Sequence, residues 1–318
     1  MRVLVTGAAG MIGSHLVDHL LDDGAEVVGF DNLLTGREIN LRAALTHPRF
    51  EFVLGDVCDG AALRSIGAVA RVFHLACPAS PVDFDTMPIE ILRAGSVGTL
   101  EAASFALEHG ARLVLASTSE VYGDPEVHPQ VESYFGNVNP VGPRACYDEG
   151  KRFSEAVVSS FARTHGLDAG IARIFNTYGP RMRVDDGRVI PNFVVQALRG
   201  EPLTVKGSGE QTRSFCYVAD LVGGLDTLMG SRQPGPFNLG TDEELTVMEL
   251  ANLVIELTNS TSTIEHLPLP EDDPVQRRPD TTASRERLEW RPTIGLREGL
   301  GRAIEYYVDA LAAGVTST

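Results

Sequence analysis

Tyr147 and Lys151 stand four residues apart in the run Cys146-Tyr147-Asp148-Glu149-Gly150-Lys151, so on a helix they share one face. A phenol ordinarily titrates near ~10, and an ammonium beside it favours the phenolate. The pair is the pattern of a tyrosine base working near neutral pH. Accident is a poor explanation. Seven tyrosines and the two lysines, Lys151 and Lys206, give about 0.04 chance Tyr-x-x-x-Lys pairs in this length of chain. A surface i,i+4 contact is the plain alternative.

A second constellation opens the chain. Gly7-Ala8-Ala9-Gly10-Met11-Ile12-Gly13 follows the apolar run Val3-Leu4-Val5 and precedes a helical pattern. Glycines there let backbone approach a pyrophosphate, and the helix N-terminus adds free N–H groups and partial positive charge. Asp31, 18 residues after Gly13, would accept hydrogen bonds from a ribose diol, which favours NAD over NADP. Asp56-Val57 suits the adenine edge, although a simple strand-end acid reads equally well. Ser117-Thr118-Ser119-Glu120 follows another strand, where open parallel sheets place ligands. A hydroxyl there would bond a substrate hydroxyl, and a polar strand cap is the plain alternative. Arg181, Arg183, Arg188, Arg213, Arg277 and Arg278 offer planar forks suited to diphosphate and carboxylate oxygens.

The elements that must position these residues are legible as a rhythm. Strands are expected at Val3–Val5, Glu26–Phe30, Phe50–Leu54, Arg71–Leu75, Arg112–Ala116 and Asp168–Phe175, with helices over Ile12–Leu21, ended by Gly24, and Lys151–His165. Strands alternating with helices imply βαβ units: an α/β fold with a Rossmann-type doubly wound parallel sheet. From about residue 177 Gly and Pro become denser and the rhythm weakens. The expected division is a dinucleotide-binding domain over 1–176, with a return segment near 214–240, and a smaller α/β substrate domain over 177–318. Residues 311–318 read as a frayed tail.

Composition narrows the function. The 318 residues carry a net charge of −16, which disfavours nucleic-acid binding. No apolar run reaches the ~20 residues needed to span a membrane. Cys58, Cys77, Cys146 and Cys216 form no CxxC pair, so free thiols in a reducing cytosol are expected and no metal site.

With these residues in place, the chain resembles the extended short-chain dehydrogenase/reductases that act on nucleotide sugars, and among them the UDP-glucuronic acid decarboxylases. Matching segments include GAAGMIGSHL, DNLLTGR, HLACPASP, STSEVYGDPEVHPQ, NPVGPRACYDEGKR, ARIFNTYGPRM, DGRVIPNF, GEPLTV, GSGEQTRSFCYVADL, NLG and DDPVQRRPD, spanning roughly residues 1–310. The resemblance implies Thr118, Tyr147 and Lys151 as the catalytic group, Ser119 and Glu120 in the decarboxylation phase, and Arg277 near the sugar carboxylate and diphosphate. It implies NAD contacts at Gly7, Gly10, Met11, Ile12, Gly13, Asp31, Asn32, Thr35, Gly36, Asp56, Val57, Leu75 and Ala76, besides Tyr147 and Lys151. It implies substrate contacts at Pro81, Arg93, Asn176, Arg181, Val189, Asn192, Lys206, Arg213, Tyr217 and Arg277. Two positions depart from the pattern: Gly95, where relatives usually carry asparagine, and Lys206, where an aromatic is typical.

The implied reaction oxidises UDP-glucuronate at C4 with a tightly held, recycled NAD, loses CO₂ from the 4-keto sugar, and reduces it again to UDP-xylose. Glu120 is expected to assist carboxylate departure or reprotonation at C5. A 4-epimerase, a 4,6-dehydratase, a decarboxylase that releases the 4-keto pentose, and a non-catalytic NAD-binding protein are the rivals. Ser119-Glu120, where dehydratases usually carry Asp-Glu, favours decarboxylation. A cytosolic homodimer is implied, packed through helices around residues 97–109 and 149–165.

Overall fold

A computed structural model describes residues 1–269 and 276–314. Asp272–Val275 of the run DDPVQRRPD and residues 315–318 of the expected tail lie outside the described residues.

The first half supplies β1 (Arg2–Thr6), α1 (Met11–Asp22), β2 (Glu26–Asp31), β3 (Phe50–Leu54), α2 (Gly60–Ser65), β4 (Arg71–His74), α3 (Pro81–Thr86), α4 (Pro88–Arg93), a π turn (Ala94–Gly98), α5 (Thr99–Glu108), β5 (Arg112–Thr118), α6 (Ala145–His165) and β6 (Ala169–Ile174). The inner strands β1, β2, β4 and β5 are buried on both faces because helices cover both faces, whereas the edge strand β3 is only half-buried. Val3 and Val5 of β1 join Val27, Phe73 and Val114 on one side. Leu4 joins Val28, Val72, Leu113 and Leu115 on the other. That alternation is the period-two geometry of a strand.

The second half contains β7 (Thr177–Tyr178), α7 (Val189–Arg199), β8 (Leu203–Lys206), β9 (Thr212–Ser214), β10 (Cys216–Tyr217), α8 (Val218–Ser231), β11 (Phe237–Leu239), β12 (Glu244–Thr246), α9 (Val247–Thr258), β13 (Ile264–Leu267), β14 (Gln276–Arg277), α10 (Thr282–Arg287) and α11 (Leu296–Ala312). Its sheets are small: β10–β7, β12–β9–β14 and β13–β8. The large parallel sheet has seven strands in the order β11-β6-β5-β4-β1-β2-β3. Residues 218–239 therefore return to the first half, with α8 packing on α1 and β11 pairing with β6. The last helix runs through Ala312, so the beginning of the expected tail is helical.

Strand order reverses between β1 and β4, and such a switch opens a crevice beyond the carboxyl ends of the strands. Two differences from the sequence reading matter there, and so does the setting of Gly95. β5 runs two residues further than expected, through Thr118, because Ser117 and Thr118 still pair with Arg173 and Ile174 of β6. α6 starts six residues earlier, at Ala145, so Tyr147 and Lys151 both lie on a formed helix. Gly95 meets α6 in the π turn. A Cβ there would stand 3.0 Å from the Gly150 carbonyl, so the missing side chain lets α6 come close. The Ser154 hydroxyl lies 2.7 Å from the Gly95 carbonyl and 2.9 Å from the Gly150 carbonyl and shares its one proton between them, sealing the contact.

Candidate active site

Glycine chemistry builds one end of the crevice. Gly7 has φ +72°, a conformation glycine adopts without penalty, and a Cβ on it would meet the Ala76 nitrogen at 2.8 Å. A Cβ on Gly13 would overlap the Gly7 carbonyl. No side chain caps the N-terminus of α1, so its first N–H groups face the cavity as donors. Asp31 accepts from the backbone nitrogens of Ala9 (2.9 Å) and Leu33 (2.8 Å), which fix its carboxylate at the end of β2. Burial raises its pKa, and those two N–H groups oppose the rise. Asn32, Thr35, Gly36, Asp56, Val57 and Ala76 line the same recess as Gly7, Gly10 and Asp31. An uncapped helix end, a glycine turn and a fixed carboxylate at a strand end are the parts a dinucleotide needs.

The recess joins a cavity of about 990 Å³ that carries Met11, Ile12, Thr118, Ser119, Glu120, Tyr147, Lys151 and Arg277 on its walls. Thr118 ends β5, and Tyr147 and Lys151 lie one helical turn apart on α6. The Tyr147 ring stacks on Phe84 of α3 with centroids 5.2 Å apart. Lys151 donates to the Ala116 carbonyl at 2.9 Å, and its Nζ lies 5.8 Å from the Tyr147 ring centre. Burial pushes the Tyr147 phenol well above its ordinary range, and the Cys77 thiol adds to the rise. The hydrogen bond with Thr118 pulls it down. The Lys151 ammonium is held on a backbone carbonyl beside the ring, and the low-dielectric wall around the phenol is the largest influence on it.

Glu120 occupies a short turn directly after Thr118, where its backbone N–H donates to the Thr118 hydroxyl at 3.2 Å. Its carboxylate pairs with Arg144 at 2.7 Å and with Arg277. Arg277 is 2% exposed and also donates to the Gly123 carbonyl at 2.8 Å. Burial alone would raise the Glu120 pKa, but the two guanidiniums outweigh it and hold the carboxyl at about 2. Glu120 therefore carries no proton at neutral pH. Two cations fix it as a carboxylate in this arrangement. Asp148, one residue beyond Tyr147, is 6% exposed and its Oδ1 has no hydrogen-bond partner. Burial and the nearby Glu120 push it up to about 8.

Pro81, Asn176, Arg181, Val189, Asn192, Lys206 and Arg213 reach the same cavity. Leu75, Gly7, Gly10 and Thr35 border both recesses. Two expected substrate contacts are elsewhere. Arg93 lines the recess of Asp31 and Asp56, beside the Cys58 thiol, because α4 runs on that side of the sheet switch. Tyr217 is buried edge-on against Tyr178, with Arg302 over its ring, so it packs the core rather than the cavity wall. Sequence reasoning gave no role to Arg144, Asp148, Cys77 or Phe84. The signal for Arg144 was its place three residues before Tyr147. Phe84 had none, since only the fold stacks it on the phenol.

Residues 3–240 match the NAD dependent epimerase/dehydratase family, and the chain belongs to that family. Within it, the chain is 52% identical over 301 residues to UDP-glucuronic acid decarboxylase 3 of Arabidopsis thaliana, covering 94% of this chain and 87% of the relative. It is 50% identical over 306 residues to UDP-glucuronic acid decarboxylase 1 of Danio rerio, covering 96% and 72%. Among solved structures, UDP-glucuronic acid 4-epimerase of Bacillus cereus, in complex with UDP-glucuronic acid and NAD, superposes with a TM-score of 0.87 at 26% identity over 97% of this chain and 99% of that one. A dTDP-glucose 4,6-dehydratase of Streptomyces venezuelae with NAD bound gives 0.90 at 29% identity over 98% of both.

Proposed function

We propose that this chain is an NAD-dependent enzyme of the extended short-chain dehydrogenase/reductase type that decarboxylates UDP-glucuronate to UDP-xylose through a UDP-4-keto intermediate. The observation that carries the reading is the meeting, on one cavity wall, of the Thr118–Tyr147–Lys151 group with the Glu120–Arg277 pair. The first group suits alcohol oxidation. The second supplies a buried cation for a carboxylate. Half identity to decarboxylases along nearly the whole chain supports the same substrate.

Residues 1–176, with the return segment near 214–240, would hold NAD through the glycine turn and Asp31. Residues 177–318 would hold most of the UDP-sugar, with Asn176, Arg181, Val189, Asn192, Lys206 and Arg213 around it. When bound, NAD⁺ supplies a positive ring that accepts hydride from sugar C4 and later returns it. Tyr147 takes the C4 hydroxyl proton, oriented by Thr118, and the Lys151 ammonium together with the positive ring of bound NAD⁺ would favour its phenolate against the cost of burial. The C4 ketone is β to the sugar carboxylate, so the electrons of the breaking C5–C6 bond pass to the C4 oxygen as an enolate and CO₂ leaves. The Tyr147 phenol, carrying the abstracted proton, and Thr118 hydrogen-bond that oxygen, a form of stabilisation often worth most in such reactions. Arg277 receives the carboxylate before it departs, and Glu120 holds Arg277 in place. Solvent water then supplies the proton that C5 takes as the enolate collapses to the ketone, and Tyr147 returns its proton to the C4 oxygen when the hydride comes back to C4.

The outer faces of α4, the π turn, α5 and α6 leave Leu92, Val97, Leu100 and Phe153 exposed. This supports a homodimer packed through those helices. Among the described residues no helix is long and apolar enough to cross a membrane, and the cysteines are free thiols, which suits a reducing compartment. The test of the chemistry is isotopic. UDP-glucuronate deuterated at C4 should give UDP-xylose that keeps the label at C4, and loss of the label to solvent would refute the internal redox cycle.

A further inference from the structure

Asn238 and Leu239 end β11 at the edge of the large sheet, and Gly240 follows directly, all remote in sequence from Glu120, Tyr147 and Arg277. Leu239 is core. Asn238 is fully buried, and each side-chain polar group is used. Its Oδ1 accepts from the Tyr122 hydroxyl at 2.8 Å. Its Nδ2 donates to the carbonyls of Gln130 at 2.9 Å and Asp280 at 3.0 Å. Tyr122 closes the turn that begins with Ser119 and Glu120. Asp280 lies three residues after Arg277. One amide thus bonds both the Glu120 turn and the segment that carries Arg277.

Two further observations point to the same clasp. Gln130, also fully buried, donates from its backbone nitrogen to the Arg278 carbonyl at 2.9 Å and accepts from the Asp280 nitrogen at 2.8 Å. Its side-chain oxygen accepts from the Arg278 nitrogen at 2.9 Å. Gly240 lies under the segment, where a Cβ would stand 2.8 Å from the Phe175 Cβ and 3.3 Å from the Pro279 ring. The residues just after Arg277 are therefore hydrogen-bonded by Asn238 and Gln130 and admitted by the bare backbone of Gly240.

We propose that Asn238 and Gly240 are positioning residues for recognition of the sugar carboxylate: they fix the Arg277 segment against the Glu120 turn and so set where the Arg277 guanidinium stands. Neither reaches the cavity wall, so each acts through Arg277. An amide suits the task because it donates twice and accepts once. A hydroxyl would keep a partner for Tyr122 but could not bond both carbonyls. The proposal rests on the reading of Arg277 as the carboxylate's partner.

The test compares two ligands that differ by the sugar acid. In a Tyr147→Phe background, to stop turnover, calorimetry on the full chain with saturating NAD would measure the affinity for UDP and for UDP-glucuronate. Asn238→Ser and Gly240→Ala should each weaken UDP-glucuronate about tenfold, the scale of a charged hydrogen bond lost, and leave UDP within about twofold. Arg277→Ala should lose at least as much for UDP-glucuronate. Equal losses for both ligands, or none for either, would assign these residues a merely structural role and overturn the proposal. An unchanged UDP-glucuronate affinity in Arg277→Ala would overturn the Arg277 reading itself and the proposal with it. Gly240→Ala keeps the test decisive should Asn238→Ser fail to fold.

Discussion

Replacing Glu120 by glutamine removes one charge from a cluster in which two guanidiniums remain. Arg277 is almost fully buried, and without the Glu120 charge it keeps only neutral acceptors among its described partners, the Gly123 carbonyl and the glutamine amide oxygen. A carboxyl held at about 2 instead of its ordinary 4.5 contributes about 3 kcal/mol of stability at neutral pH. That agrees with the ~3–5 kcal/mol cost of breaking a buried pair from one side. The sign follows from the direction: the folded state depresses this pKa, so the contribution is complete above pH 4.5 and fades as pH falls towards 2. At pH 3.5 about 2 kcal/mol should remain. Urea unfolding of wild type and Glu120→Gln, at one fixed NAD concentration, measures the difference directly. A gap near 3 kcal/mol at pH 7 that narrows at pH 3.5 is expected. A gap below about 1 kcal/mol at pH 7, or one independent of pH, would refute the assignment of Glu120 as a charged anchor.

Tyr147→Phe should lower turnover by about 10²–10⁴-fold while the affinity for UDP, measured by calorimetry, stays close to wild type; near-normal turnover would remove the phenol from its role. Asp148→Asn tests the opposite titration: folding raises this pKa from 3.8 to about 8, so the acid's contribution to stability falls as pH rises through that range. Against wild type, the variant should gain at least about 1 kcal/mol between pH 6 and pH 9, read from urea midpoints at the two pH values. Phe153→Glu places a charge on the exposed face of α6 and should convert a dimer to monomer in sedimentation velocity, with secondary structure retained by circular dichroism.

What the sequence could reveal follows distance along the chain. Tyr147 and Lys151, the glycine turn and Asp31 were legible because each acts within one helical turn or one strand–turn–helix unit, where spacing dictates direction. The strands were found because burial on both faces leaves continuous apolar runs. Arg93 and Tyr217 stand away from the large cavity, and motif membership says nothing about which side of the sheet switch a side chain faces. Lys151 was in the right place, but its weight against desolvation depended on the Ala116 carbonyl and the apolar wall, and neither has a local signature. Arg144 and Asp148 lay inside a run read for Tyr147 and Lys151, and their electrostatics come from burial and from Glu120, more than twenty residues earlier, which only the fold brings beside them. Asn238 bonds three segments remote in sequence, and no periodicity could announce that.

The most direct test of the central claim is proton NMR of the purified protein with UDP-glucuronate, with and without added NAD⁺, and with the CO₂ trapped and counted. The account predicts one CO₂ for each UDP-xylose and no net reduction of NAD. UDP-galacturonate appearing without CO₂ would make the protein an epimerase and contradict it.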